Sequence, residues 1–216
     1  MLKIVELCLN YADLPVLSGF NLELEPGTIG VLTGGNGCGK SSLLAAISGV
    51  VPEHIEAAVS GSIYLHDIDL RQLPLREKYH HLWHALSAED SQFFFPTCEA
   101  ELSFALENMG VPALEIRTRI NCAAAYFGLS EKLLSSPQAL SGGQQKLLLC
   151  AVGMALSPKL YLLDEPASGL SGCSLQLFCR WLGELKAQGK IVLVAEHHPA
   201  VIAMADKVIT LQKVHD

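Results

Sequence analysis

At 216 residues, half of them hydrophobic and 17% charged, the chain has apolar side chains enough for one sizeable core with room for a subdomain. A net charge of −7 without any basic stripe excludes a nucleic-acid partner, because phosphate backbones demand clustered Lys and Arg. Glu6 interrupts any signal-peptide run, and the longest apolar stretch, residues 147–156, is about half of what a membrane span needs.

Residues 2–9 alternate apolar and polar side chains and predict a strand; residues 21–25 predict another, ahead of the Pro26-Gly27 turn. Tyr11 falls in the polar connection between them, where a tyrosine packs or does more. The β-branched run 28–33 predicts a buried strand. It meets Gly34-Gly35-Asn36-Gly37-Cys38-Gly39-Lys40-Ser41, and residues 42–48 predict a helix. Four glycines let this loop turn its N–H groups inward, and with a helix N-terminus behind them they make a phosphate cradle. Lys40 can reach terminal phosphates as a point charge, and the Ser41 hydroxyl can ligate Mg²⁺. We read residues 34–41 as a nucleoside triphosphate site.

Val51-Pro52 breaks the chain, residues 60–65 predict a short strand, and residues 80–87 another. On that last strand His80 and His84 share one face and His81 the other, which argues against a metal site. From Thr97 the period becomes helical. Thr97 can cap a helix with Glu99 and Glu101 in its first turns, ending at Met109 before Gly110, and a second helix covers residues 114–127. Residues 88–157 are thus mainly helical between two strand-bearing segments.

Ser141-Gly142-Gly143-Gln144 precedes a predicted helix over 145–156, with Ser141 as its N-cap and a second anion-binding end at its start. Leu160-Tyr161-Leu162-Leu163-Asp164-Glu165 predicts a strand buried on both faces with two carboxylates at its end. Asp164 can hold Mg²⁺ through water, and Glu165 can polarise a water for attack on a γ-phosphate. A further apolar strand, 190–195, runs into Glu196-His197-His198, where His197 can hydrogen-bond the γ-phosphate. The seven cysteines (Cys8, Cys38, Cys98, Cys122, Cys150, Cys173 and Cys179) form no C-x-x-C pair and read mostly as small buried hydrophobes in a reducing cytosol.

Phosphate loop, L-S-G-G-Q, apolar strand with Asp-Glu, and terminal histidine, in that order over nearly the whole chain, resemble an ATP-binding cassette (ABC) ATPase. The resemblance implies an α/β fold: a P-loop NTPase (RecA-like) core with an N-terminal antiparallel β subdomain and an inserted α-helical subdomain. It implies one domain over 1–216, the core being 1–87 and 158–216 and the helical subdomain about 88–157. Residues 34–41 match Walker A, with Ser42 beside them, Ser141 to Gln144 the ABC signature, residues 160–165 Walker B, and His197 the switch histidine. Tyr11 falls where the family stacks an aromatic on adenine. ATP and Mg²⁺ are the implied ligands, with catalysis through Glu165, His197 and Lys40. Two subunits, identical or not, pair head to tail so that the signature of one meets the triphosphate of the other, and transmembrane subunits respond at the cytoplasmic face of the membrane.

Residues 49–63 and 90–110 resemble ATPases of energy-coupling-factor importers, which take up vitamins and metal ions. A soluble ABC ATPase, an exporter ATPase and an ATP-responsive regulatory module remain open. Several positions depart from the family pattern. Ser87 stands where a Mg²⁺-ligating glutamine is usual, with Gln92 nearby. Ser171 replaces an aspartate, and Leu147 and Val152 replace arginines.

Overall fold

Two sheets divide the strands of the chain, seen in a computed structural model that describes residues 1–12, 14–85 and 93–214. The first is antiparallel: β1 (Leu2–Tyr11) lies between β2 (Leu14–Leu24) and β4 (Ala58–Leu65), and β4 carries the short β5 (Ile68–Asp69). In β1 the buried residues are Leu2, Ile4, Leu7 and Leu9, the period of two expected of a strand with one covered face. The skip after Ile4 marks a bulge, where Glu6 takes φ +47° and the register shifts against both neighbours.

β2 starts seven residues before the expected strand because that bulge hides its pairing. Asn21 fills the ladder there, accepting from the Glu6 N–H (3.0 Å) and donating to the Glu6 carboxylate (2.7 Å) and the Gly19 carbonyl (2.8 Å). Tyr11 is correspondingly not in a connection: it is the last residue of β1, paired with Leu14.

The second sheet is parallel, in the spatial order β6 (Leu82–Ala85), β7 (Leu160–Asp164), β8 (Ile191–Ala195), β3 (Ile29–Thr33), β9 (Lys207–Thr210). Every residue of β7 and β8 is buried, as a parallel sheet covered on both faces requires. Leu160, Leu162, Ile191, Leu193 and Leu32 face one apolar cluster, shared with α1 (Lys40–Ser48) and the antiparallel sheet. Tyr161, Leu163, Val192, Val194 and Val31 face the other, shared with α4 (Cys98–Asn108), α5 (Ala113–Tyr126), α6 (Gly142–Leu156) and α7 (Gly172–Ala187). Trp181 of α7 centres that second cluster, its ring edge-on to Phe127 and Tyr161 with centroids 5.6 Å away in both cases. Leu147 and Val152, where the resemblance implies arginines, are both 4% exposed in it.

Thr97 caps α4 as expected, accepting from the Ala100 N–H at 3.2 Å, and Glu101 also takes the N–H groups of Phe94 and Phe95. The helix expected over 114–127 forms as α5, and the one over 145–156 starts earlier, at Gly142. Val51-Pro52 lies in the one-turn α2 (Val50–Glu53).

Two further expectations need correction. The strand over 80–87 is only Leu82–Ala85 among the described residues; His80 and His81 lie in the turn after α3 (Leu75–Lys78). His84 alone is in the strand, buried, with Nδ1 3.0 Å from the Ser48 hydroxyl. Of the cysteines, only Cys38, Cys98 and Cys150 are buried, while Cys122 and Cys173 are exposed on helix faces whose period turns them outward; all seven are free thiols. No helix among the described residues is long and apolar enough to cross a membrane.

Candidate functional site

β3 delivers the chain into the loop 34–41, and the backbone there admits glycine and little else at two positions. Gly34 sits at φ +138°, where an added Cβ would come 2.4 Å from the Leu211 carbonyl oxygen. Gly39 sits at φ +97°, with Val16 of β2 only 2.8 Å from such a Cβ. Around Gly35 and Gly37 an added Cβ would meet nothing within 4 Å, so the crest of the loop borders open space.

Gly39 is also the N-cap of α1, and no side chain caps that helix. Its first N–H groups, and the positive end of its dipole, therefore lie bare behind an open loop, which is what an anionic group needs. Lys40 is only 6% exposed, and its ammonium donates to the carbonyls of Gly34 (3.0 Å) and Gly35 (3.2 Å). Phosphate oxygens are stronger acceptors than those carbonyls, so the amine is already at the point where it would exchange them. Ser41, next in the helix, is exposed.

Parallel register brings the other predicted groups to the same edge. Leu32 and Asp164 both pair with Ala195, so β3, β8 and β7 end level with one another. At about 4.8 Å per strand, Asp164 lies roughly 10 Å across the sheet from the start of the loop. Asp164 is 6% exposed. Ser41 and Asp164 are hard oxygen donors, the set that suits Mg²⁺. Glu165 leaves the strand at φ +47°, its N–H donating to the Ala195 carbonyl (2.9 Å). His197 is exposed at the end of β8 and carries no side-chain hydrogen bond to the described residues. The neighbouring His198 is occupied locally, its Nδ1 accepting from the Ala200 N–H (3.2 Å) to cap α8 (Pro199–Ile202).

Ser141 to Gln144 bond to one another instead. Ser141 accepts from the Gln144 N–H (3.3 Å), and the Gln144 side chain accepts from the Ser141 N–H (3.1 Å), a closed capping box. This turn lies beside Leu170, whose side chain would be 3.6 Å from a Cβ on Gly143, and no hydrogen bond among the described residues joins it to the loop 34–41. Tyr11 is half-buried against the cluster that contains Cys38 and Leu43, one hairpin away from Val16 and the loop. Ser87 and Gln92 lie outside the described residues.

Two residues that pattern reading passes over take part. Lys146, five residues into α6, donates to the Glu165 carbonyl at 3.1 Å. Glu196 is 4% exposed and accepts three backbone N–H groups. The signal for Glu196 was present: a carboxylate directly after five buried strand residues has to find donors within the protein.

The pattern described as ABC transporter matches residues 17–168. A protein of Methanosarcina acetivorans, provisionally described as an ABC transporter ATP-binding protein, is 32% identical over 199 residues, 91% of this chain and 31% of that protein. The Bacillus subtilis protein YkoD, provisionally described as an HMP/thiamine import ATP-binding protein, is 32% identical over 204 residues, 91% of this chain and 37% of its own length. The chain thus spans well under half of these curated relatives. Among solved structures, CbiO1 of Clostridium perfringens, part of the complex CbiONQ, superposes with a TM-score of 0.81 at 27% identity, over 98% of this chain and 84% of that one. MJ0796, solved as a dimer in a post-hydrolysis state with ADP and phosphate, superposes with a TM-score of 0.86 at 21% identity, over 98% and 94%, a likeness of fold.

Proposed function

The chain belongs to the ABC transporter family, and from that membership we propose that it binds and hydrolyses ATP to drive a membrane transporter. The observation that carries this reading is the uncapped start of α1 behind an open glycine loop, level with Asp164, Glu165 and His197 on one sheet edge.

The phosphates of ATP would take the N–H groups of residues 34–42, and Lys40 would trade its two carbonyls for terminal phosphate oxygens. Ser41 and Asp164 would hold Mg²⁺, which when bound neutralises charge on the phosphate oxygens. Glu165 accepts a proton from the attacking water, and His197 hydrogen-bonds the γ-phosphate as charge shifts toward the leaving oxygen. Tyr11 would stack on adenine. Ser141 to Gln144, which share no hydrogen bond with the loop of their own chain among the described residues, would meet the triphosphate of a second subunit. The capping box does not prevent this, since the Ser141 hydroxyl accepts from Gln144 and keeps its own proton to donate.

The finer reading is an importer of energy-coupling-factor type, for a vitamin or metal ion, peripheral at the cytoplasmic face of the membrane and working as a homo- or heterodimer under transmembrane subunits. Residues 49–63 and 90–110 support it, as do the likeness to YkoD, provisionally described as an HMP/thiamine import ATP-binding protein, and to CbiO1, part of the ABC transporter complex CbiONQ. One domain, with a core of 1–87 and 158–216 and a helical subdomain of about 88–157, is the organisation that goes with it.

Phosphate release by the purified chain with Mg-ATP, together with the identity of what co-purifies from detergent-solubilised membranes, tests both levels. Turnover alongside a small multi-helix membrane protein is expected. Absence of turnover with or without that partner overturns the ATPase reading, and a purely soluble set of companions overturns transport.

A further inference from the structure

Glu196 is the first residue beyond β8, and its own N–H donates to the Leu32 carbonyl (3.1 Å), which stitches it to β3 as well. Its carboxylate faces two different turns. Oε2 accepts from the Ala167 N–H (2.8 Å), two residues past Glu165. Oε1 accepts from the N–H groups of His197 (2.8 Å) and His198 (3.1 Å). With 4% of the residue exposed and no ion pair to it among the described residues, the charge is held by these peptide donors. Ala167 is itself 1% exposed, so its N–H has no recourse to water once that oxygen is removed.

The turn it grips is strained. Glu165 carries a Cβ in the left-handed region at φ +47°, a conformation that persists only when its surroundings over-determine it. The Ala195 carbonyl fixes the Glu165 N–H from β8, Lys146 fixes the Glu165 carbonyl from α6, and Glu196 fixes the segment two residues on. Only Glu196 also reaches the turn that contains His197.

We propose that Glu196 is a positioning residue: its two carboxylate oxygens bracket the Glu165 turn and the His197 turn, so that both groups address the same phosphate together. The consequence for catalysis rests on the ATPase reading above; the bracket itself does not. Glutamine is the decisive replacement, because it keeps the size of the side chain but has one acceptor oxygen. It can take the Ala167 N–H or the His197/His198 pair, and it turns an amide donor toward whichever is left.

In the unaltered protein, amide hydrogen exchange should show Ala167, His197 and His198 opening together with one common protection factor. In Glu196→Gln, exchange in both turns should quicken at least tenfold while α1 keeps its protection. Turnover should fall by about 10- to 100-fold with the KM for ATP within about twofold, since the loop 34–41 is untouched and misplacement alone is penalised. A role confined to fold maintenance would instead lower the protection of α1 and raise KM together. Independent opening of the three amides in the unaltered protein overturns the bracket, as does a folded Glu196→Gln protein with turnover within twofold of the original. Co-protected amides in a protein without turnover would leave the bracket standing and remove the ATPase reading; turnover with independent amides would do the reverse.

Discussion

Two helices of this protein start from glycine-rich turns, and the two starts are built in opposite ways. α1 has Gly39 at its N-cap, no capping side chain, and open space over Gly35 and Gly37. α6 has Ser141 at its N-cap, reciprocally bonded to Gln144. Both turns are glycine-rich, yet one leaves its helix without a side-chain cap and the other closes on itself. What decides is the cap: the Ser141 hydroxyl already holds the Gln144 N–H (3.3 Å), and a left-handed glycine holds none. Within one chain the uncapped start is thus open to an anion and the capped start is closed on itself, keeping the Ser141 hydroxyl proton for a donor bond.

The far end of α1 sharpens the contrast, because it is anchored where its start is open. Ser48 accepts or donates to His84 of β6, and Gly49 caps the last turn in the left-handed region, its N–H on the Ala45 carbonyl. Lys78 lies over Gly49 and pairs with Glu53 (3.3 Å). A ligand at the start of α1 meets a helix already fixed at its other end.

The largest expected effect is at the open start. Lys40→Ala should lower turnover by about 10³-fold, or ~4 kcal/mol of transition-state stabilisation, because one preorganised cation is removed from the phosphates. The ligand-free melting temperature should barely change, since the Lys40 ammonium bonds within its own loop, to the Gly34 and Gly35 carbonyls and the Cys38 sulfur. An equal loss of ligand-free stability would break the comparison.

The anchored end should show in pH dependence. Burial lowers the pKa of His84 from 6.5 to about 4. On acidification the unfolded chain takes up the proton first, so the contribution of His84 is complete above about pH 6.5 and is lost as pH falls toward 4. Over that window the difference amounts to about 3 kcal/mol. Urea unfolding at pH 7.5 and 4.5 should show a steeper acid loss for the unaltered protein than for His84→Gln; identical slopes would remove His84 from the anchor.

Smallest is the closed start. Ser141→Ala should cost about 1 kcal/mol of ligand-free stability, the ordinary value of an N-cap. A neutral result by calorimetry would mean that the capping box contributes nothing and that the two starts are alike.

Much of this was legible from the residues. β3, β7 and β8 are continuous apolar runs that end in glycine or acid, so their burial and polarity announce them, and Thr97 and Ser141 cap the helices they precede. Elements organised by side-chain exceptions were not. β2 begins at Leu14 because Asn21 substitutes for a ladder bond at the Glu6 bulge, which no alternation rule registers. His80 and His81 alternate like strand residues but belong to the turn after α3, which is too short to show a period. At the site, Lys40, Asp164, Glu165 and His197 carry chemistry in their residue types, so their candidacy could be read before the sheet order brought their strands to one edge. Lys146 and Glu196 act on backbone atoms 19 and 29 residues away, a relation that only the folded sheet order creates.

The role of Glu165 is most directly tested by phosphate release from Glu165→Gln in Mg-ATP, with ATP binding measured on the same sample. The glutamine keeps the size of the side chain but cannot take the proton of the attacking water, so release should fall by at least about 10²-fold with ATP affinity retained. It should also trap the ATP-bound dimer. Unchanged phosphate release would contradict the assignment of Glu165.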